Sequence, residues 1–269
     1  MIRRDDFRKL NIEVESAVNE AFEYAKKNEK NENDYILFLA RSYYDTEINT
    51  TRYSPWQIDR SLDELLDRHR VDFLLQYVNQ QYNFQTENSA DSKFSLSLEL
   101  MIYTHIWESF HNLINFNKLA DLCDSKDYNW NIQIGKNSRY SFIKGNIKDV
   151  FQKHNLKIYD LIDNSYHSQL RNAFAHSLYH FSLSGHSLVL ENYDGKNADI
   201  EQLTFDEWTL RFLKSTLLQN HYHNKFSSEI ELLENNKVFE VKMEYNGESK
   251  IGLVSYDKMN KRFNGGIKK

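Results

Sequence analysis

The stretch KFSLSLELMIYTHIWESFHNLINFNKLADLC, residues 93–123, decides the fold class. Phe94, Leu96, Leu98, Leu100, Met101, Ile102, Ile106, Trp107, Phe110, Leu113, Ile114 and Phe116 leave little room for a solvent face, the pattern of one central helix in a bundle. A polar stripe interrupts it: His105, Glu108, His111, Asn112 and Asn115, spaced three and four apart. Buried polar groups need partners, so the stripe faces a polar cleft or a second protomer; the alternative is a surface edge with ordinary i,i+3 pairing.

The flanking segments fit a mainly α protein. Residues 5–28 read as an amphipathic helix with Phe7, Leu10, Ile12, Val14, Val18, Phe22 and Tyr24 inward. An aromatic-rich helix is expected from Tyr35 to Asp45. Ser54 and Pro55 look like an N-cap and first-turn proline, opening a helix to Tyr82. Polar residues 85–93 mark the best linker. Tyr128 to Ile134 alternate as an extended segment, and helices are expected over Ser138–His154 and Tyr159–Leu178. A hairpin follows around Ser184-Gly185. A helix from Thr204 to His221 carries Trp208, Leu210, Phe212, Leu213 and Leu217 inward, and a second hairpin turns at Asn246-Gly247. The expected organisation is an N-terminal helical region (1–86), a helical bundle (87–226) and a β-hairpin appendage (227–269).

Composition narrows the class. Only 1 Pro and 8 Gly in 269 residues favour long helices. The single Cys123 excludes an internal disulfide and suggests a reducing compartment. No apolar run is long enough to span a bilayer, and Met1-Ile2-Arg3-Arg4-Asp5-Asp6 lacks the apolar core of a signal peptide, so a cytoplasmic location and no membrane are expected. A net charge of -5 argues against a broadly basic nucleic-acid binder but not against a local basic cleft. Lys144, Lys148, Lys153 and Lys157 are candidates for such a cleft; lysines at these spacings also make an ordinary solvated helix face.

Arg171-Asn172-Ala173-Phe174-Ala175-His176 lies within the expected helix of residues 159–178. At about 100° per residue, Asn172, His176 and Tyr179 share one stripe, with Leu170, Phe174 and Leu178 opposite and Arg171 about 140° from His176. A permanent cation, an amide and a titratable imidazole beside an anchoring apolar face suit phosphate binding and proton transfer. The bland alternative makes Arg171 a structural bridge to Glu108 or Asp163 and His176 a satisfied core imidazole.

The spacing resembles the R-[N/D/H]-x-x-x-H signature of the HEPN superfamily, and the alanines flanking Phe174 resemble its bacterial members. The resemblance covers residues 90–225 and rests chiefly on this motif. It implies a helical bundle of four to six helices and a metal-independent endoribonuclease of the kind found in toxin–antitoxin and anti-phage systems. By resemblance, Arg171 stabilises the scissile phosphate, His176 serves as acid or base, and Asn172 positions substrate or the imidazole. Glu108 matches an acidic residue supporting the motif, and Tyr179 is a candidate substrate contact. Such sites form at a two-fold interface, so a homodimer is implied, with RNA as substrate and an antitoxin or defence partner as regulator. A catalytically silent RNA-binding or interaction module is the alternative. Tyrosine modification is not implied, because that form of the motif reads H-x-Y and here His176-Ser177-Leu178-Tyr179 intervenes. His176 with His180, and His221 with His223, lack a third nearby ligand, so neither a metal nor any other cofactor is expected.

Overall fold

The computed structural model describes residues 2–45, 56–58, 89–135, 138–183, 185–192, 199–245 and 248–268. Helices dominate, making the protein mainly α. Helix α1 (Arg4–Asn28) buries Leu10, Val14, Ala17, Val18, Ala21, Phe22 and Ala25, a stripe at spacings of three and four. Asp5 and Asp6 in its first turn and Lys26 and Lys27 in its last complement the helix dipole. Ile12, expected inside, is 65% exposed because it falls off that stripe.

The expected helix from Tyr35 to Asp45 is shorter. Helix α2 (Asp34–Leu39) is buried on every side, and Tyr43–Tyr44 (β1) then pairs antiparallel with Trp56–Gln57 (β2). The remainder of the helix expected from Ser54 to Tyr82 lies outside the described residues.

The central apolar stretch is two helices, not one. Helix α3 (Ser89–Glu108) and α4 (Phe110–Cys123) meet at Ser109, whose extended backbone breaks the run and whose hydroxyl accepts from the Asn112 amide as N-cap. Only α4 is buried all round, from Leu113 to Cys123; Met101 on α3 is 49% exposed. The break also divides the polar stripe, with Glu108 ending one helix while His111 begins the next. Helix α1 packs chiefly on α4 and on the long C-terminal helix. Residues 128–134 run extended without joining a sheet, yet Tyr128, Trp130 and Ile132 are buried while Asn129, Asn131 and Gln133 are exposed. The expected alternation is there, serving a surface segment anchored by Tyr44 N–H donating to Trp130 O at 2.8 Å.

Helices α5 (Arg139–Phe142) and α6 (Asp149–Lys153) are joined by a π-helical turn, Ile143–Lys148. The expected helix over 159–178 is also divided, into α7 (Ile158–Ser165) and α8 (Ser168–Ala175). Ser165 Oγ bonds back to Leu161 O, a contact that bends helices. The backbone groups freed at the break are taken up by Tyr103 on α3: its hydroxyl donates to Ser165 O at 2.9 Å and accepts from His167 N at 3.0 Å.

Beyond α8 the expected hairpin is a three-stranded antiparallel sheet: β3 (Tyr179–Phe181), β4 (Ser187–Leu190) and β5 (Gln202–Thr204). Thr204 then caps α9 (Phe205–Leu232) in a reciprocal box with Glu207. This helix runs well past the expected end at His221, and Leu210, expected inside, is 42% exposed. Thr204→Ala is expected to lower stability by about 1 kcal/mol, read as a shift in urea midpoint.

On α9, His223 Nε2 lies 2.6 Å from Gln219 Nε2, which suits a neutral imidazole accepting from the amide. Burial, reinforced by Arg41, pushes its pKa from 6.5 down to about 3. Below pH 6.5 the unfolded chain gains a proton that the folded one refuses. Stability is therefore full above pH 6.5 and falls by about 1 kcal/mol per pH unit as the pH drops towards 3. Burial also depresses His167 and His221, adding to the trend. Urea unfolding at pH 7 and pH 5 should show the lower midpoint at pH 5, with His223→Gln narrowing the gap.

The C-terminal hairpin likewise gains a third strand: β6 (Val238–Tyr245), β7 (Glu248–Asp257) and β8 (Arg262–Ile267). Tyr245 pairs with Glu248 across the turn; Asn246 and Gly247 themselves lie outside the described residues. Glycine is poor in strands, but a Cβ on Gly265 would lie 2.5 Å from Ile58 Cγ1, so close approach of the chain beside β2 accounts for it.

Candidate functional site

Helix α8 is held from beneath by Phe174. Its ring meets Trp208 at 5.2 Å and Tyr103 at 6.0 Å, both edge-on, and both partners are fully buried. With Leu170 and Ala173 also buried, one face of α8 is locked to α3 and α9, turning Arg171 and Asn172 to its half-buried flank.

Arg171 Nη1 lies 2.7 Å from Glu108 Oε1, with side chains 15% and 24% exposed. Glu108 Oε2 is at the same time held by Arg139 on α5. One carboxylate at the end of α3 is thus forked between two guanidinia from separate helices. Tyr166 lies beside them, its ring 5.1 Å from Trp107. Burial raises the Tyr166 pKa, and the nearby Arg171 charge opposes that rise. The Tyr166 hydroxyl and Arg171 Nε are both buried, and the Tyr166 and Arg171 side chains interact with each other.

His176 stands apart from this fork. Helix α8 ends at Ala175, and His176 is its exposed C-cap rather than a member of a continuing helical stripe. Ser177 takes a left-handed φ of 56°. Its amide reaches Phe174 O at 3.4 Å, and the Leu178 amide reaches Ala173 O at 2.8 Å, a Schellman ending. Leu178, expected on the apolar face, is consequently 40% exposed. The left-handed position costs an L-residue about 1 kcal/mol, so Ser177→Gly is expected to raise stability by about 0.5–1 kcal/mol, visible in thermal melts.

Asn172 accepts the His176 amide through its own carbonyl at 3.1 Å. Tyr179, half-buried on β3, packs edge-on to Phe174 at 5.3 Å and lines a cleft of about 170 Å³ with His105, Thr104 and Met101. The fold therefore joins Arg171 to Glu108, sets Tyr179 near His105, and leaves His176 exposed between them in sequence. Asp163, the other candidate partner of Arg171, is instead paired with Lys148. Lys153 and Lys157 face Asp124 and Glu20, so these lysines serve separate ion pairs rather than one patch. His180 pairs with Glu191 across the small sheet, and His221 bonds Asn11. Arg139, Tyr166 and Tyr103 were not singled out by sequence. Nothing in periodicity connects Arg139 to Glu108, since the two meet across 31 positions.

Fold and geometry together define a mainly α protein carrying a half-buried arginine–glutamate fork beside an exposed histidine. Comparison with known proteins finds no matching family model, no matching curated protein and no matching solved structure. No described helix is long and apolar enough to cross a membrane.

Proposed function

We propose that the protein is a metal-independent endoribonuclease of HEPN type, acting as a homodimer in which two Arg171–His176 sets face one cleft. The observation that carries this reading is the combination of an oriented Arg171 midway along one short, firmly anchored helix and a solvent-accessible His176 at its C-terminal cap. Cleavage without a metal needs a base for the ribose 2′-hydroxyl, an acid for the leaving 5′-oxygen, and positive charge on the phosphorane-like transition state. Arg171 supplies the charge, His176 the proton transfer, and Asn172 the positioning. Glu108 orients Arg171, Tyr179 contacts substrate, and Arg139 adds a second cation. Exposed Phe110, Tyr140 and Leu178 lie within two residues of Glu108, Arg139 and His176, apolar surface suited to a partner protomer around the site. As a defence effector or toxin, such an enzyme would be held in check by an antitoxin or defence partner in the cytoplasm.

The test is incubation of the purified protein with total RNA and transfer RNA in EDTA, with the ends mapped across a range of protein concentrations. Chelator-resistant cleavage leaving 2′,3′-cyclic phosphates and 5′-hydroxyls, rising more steeply than the first power of concentration, is expected. Cleavage abolished by EDTA would sink the mechanism. A silent RNA-binding or interaction module is the second reading. It is favoured by the Glu108 fork, which already gives Arg171 a structural role, and it predicts RNA binding without cleavage by a verified dimer.

A further inference from the structure

Arg41, just past the end of α2, is only 7% exposed, yet no carboxylate among the described residues pairs with it. Its Nε is sealed from solvent without a hydrogen-bond partner, and neither terminal nitrogen bonds an acceptor among the described residues. The Phe226 ring, 4.7 Å from Cζ, offsets part of the charge but offers no oxygen to the five N–H groups. The backbone adds to the cost. Arg41 takes a left-handed φ of 52°, a conformation that suits glycine. A buried cation without an anion opposes folding, and so does the strained backbone beneath it. An arriving anion would remove the larger of these two costs.

The charge sits at a polar seam between α4 and α9. Side chains of the two helices meet there: Asn112 Oδ1 accepts from Gln219 Nε2 at 2.8 Å, and Phe116 meets Tyr222 at 4.8 Å. Gln219, His223 and Phe226 share one face of α9 at spacings of four and three, so the seam leads from Asn112 to Arg41. Lys118, further along α4, fixes the chain next to Arg41 by donating to Ser42 O.

Several polar groups along this seam have unused capacity. Asn115, between Asn112 and Lys118 on α4, is 6% exposed, and its amide has no hydrogen-bond partner among the described residues. Gln219 Oε1 is likewise buried and unpartnered. His223 accepts from Gln219 at Nε2, which leaves its proton on Nδ1 as a further donor. Arg41 is near enough to help keep that imidazole neutral. One cation and several neutral donors are thus gathered, and none of these residues is a carboxylate.

We propose that the seam binds a small oxyanion, a phosphate or carboxylate group, on the unused edge of Arg41, with the Asn115 amide and His223 as neutral donors beside it. A guanidinium presents parallel N–H groups that match two oxygens of one such group. Burial favours this pairing further, because little water competes for the same donors. The inference goes beyond the nuclease reading and does not depend on it.

Calorimetric titration and thermal melts of the purified protein test it, using sodium phosphate, AMP, sodium acetate, and sodium chloride at matched ionic strength. Saturable binding of phosphate, AMP or acetate beyond the chloride control is expected, with a rise in melting temperature. Arg41→Met should bind about tenfold or more weakly. Without anion it should melt no lower than the parent, because the unpaired buried charge has gone. Asn115→Ala keeps the cation and should also weaken binding, which tests the site even if the methionine variant fails to fold. Followed by NMR, the His223 imidazole should titrate at higher pH once the anion is bound. Phosphate without AMP identifies the free ion as ligand, both together a phosphate monoester, and acetate alone a carboxylate. No binding beyond chloride, or an affinity unchanged in folded Arg41→Met, overturns the proposal; if that variant is unfolded, an affinity unchanged in Asn115→Ala does so.

Discussion

His176→Ala is expected to reduce RNA cleavage by about 10²–10⁴-fold, the range for loss of a positioned general acid or base, while leaving the melting temperature within about 1 °C of the parent. The two outcomes separate because of where the residue sits. His176 is exposed at the end of α8, and the bonds that close that helix come from the backbone of residues 176, 177 and 178 rather than from the imidazole. Arg171→Ala should behave differently, losing cleavage and stability together. Its guanidinium is 15% exposed and meets a carboxylate that is itself only 24% exposed, so truncation leaves Glu108 with Arg139 as its remaining ion-pair partner. Initial rates on labelled RNA in EDTA, read beside thermal melts of both variants, check the pair. Undiminished cleavage by folded His176→Ala would remove the imidazole from the mechanism.

Trp208→Ala is expected to cost about 3–5 kcal/mol, a large share of the 5–15 kcal/mol that stabilises an ordinary domain. Trp208 has no exposed surface and sits among Tyr103, Phe174 and Phe212. Its indole N–H also donates at 2.8 Å to Glu99, itself buried, so truncation removes a donor as well as volume. Because Phe174 rests on this ring, α8 loses its anchor in the same stroke, and RNA cleavage should fall together with stability. Trp208→Phe keeps most of the ring volume and should recover much of the lost stability but not the bond to Glu99. Urea unfolding of the three proteins gives the magnitudes; a parent-like midpoint for Trp208→Ala would contradict the packing described.

Much of the helical framework was legible because it rests on periodicity: the face of α1, the apolar run of α3 and α4, and the Thr204 start of α9. The breaks were not, because each is settled by a tertiary partner. Tyr103 makes the interruption at Tyr166–His167 tolerable from a position more than sixty residues away in sequence. Ser109 carried a local signal, a serine immediately before an apolar turn with a free amide three residues on, but the strength of the surrounding apolar pattern masked it. The third strands were missed for opposite reasons. β5 is only three residues long, and β8 contains glycines whose place depends on Ile58 approaching from another part of the chain. At the motif, Arg171 and its partner Glu108 could be named from sequence because both sit on recognisable helices. The exposure of His176 could not, since it follows from a left-handed serine that no local rule demands.

The fork at Glu108 has an effect that reaches beyond contact distance. One carboxylate shared by two guanidinia leaves a unit of positive charge in excess at a half-buried spot, on a chain whose total charge is -5. A polyanion approaching from solution is repelled by the molecule as a whole but attracted towards that spot, so its capture becomes orientation-dependent before any atom touches. Added salt weakens both the repulsion and the pull. The encounter rate is therefore governed by the contrast between the local and the total field, not by either alone.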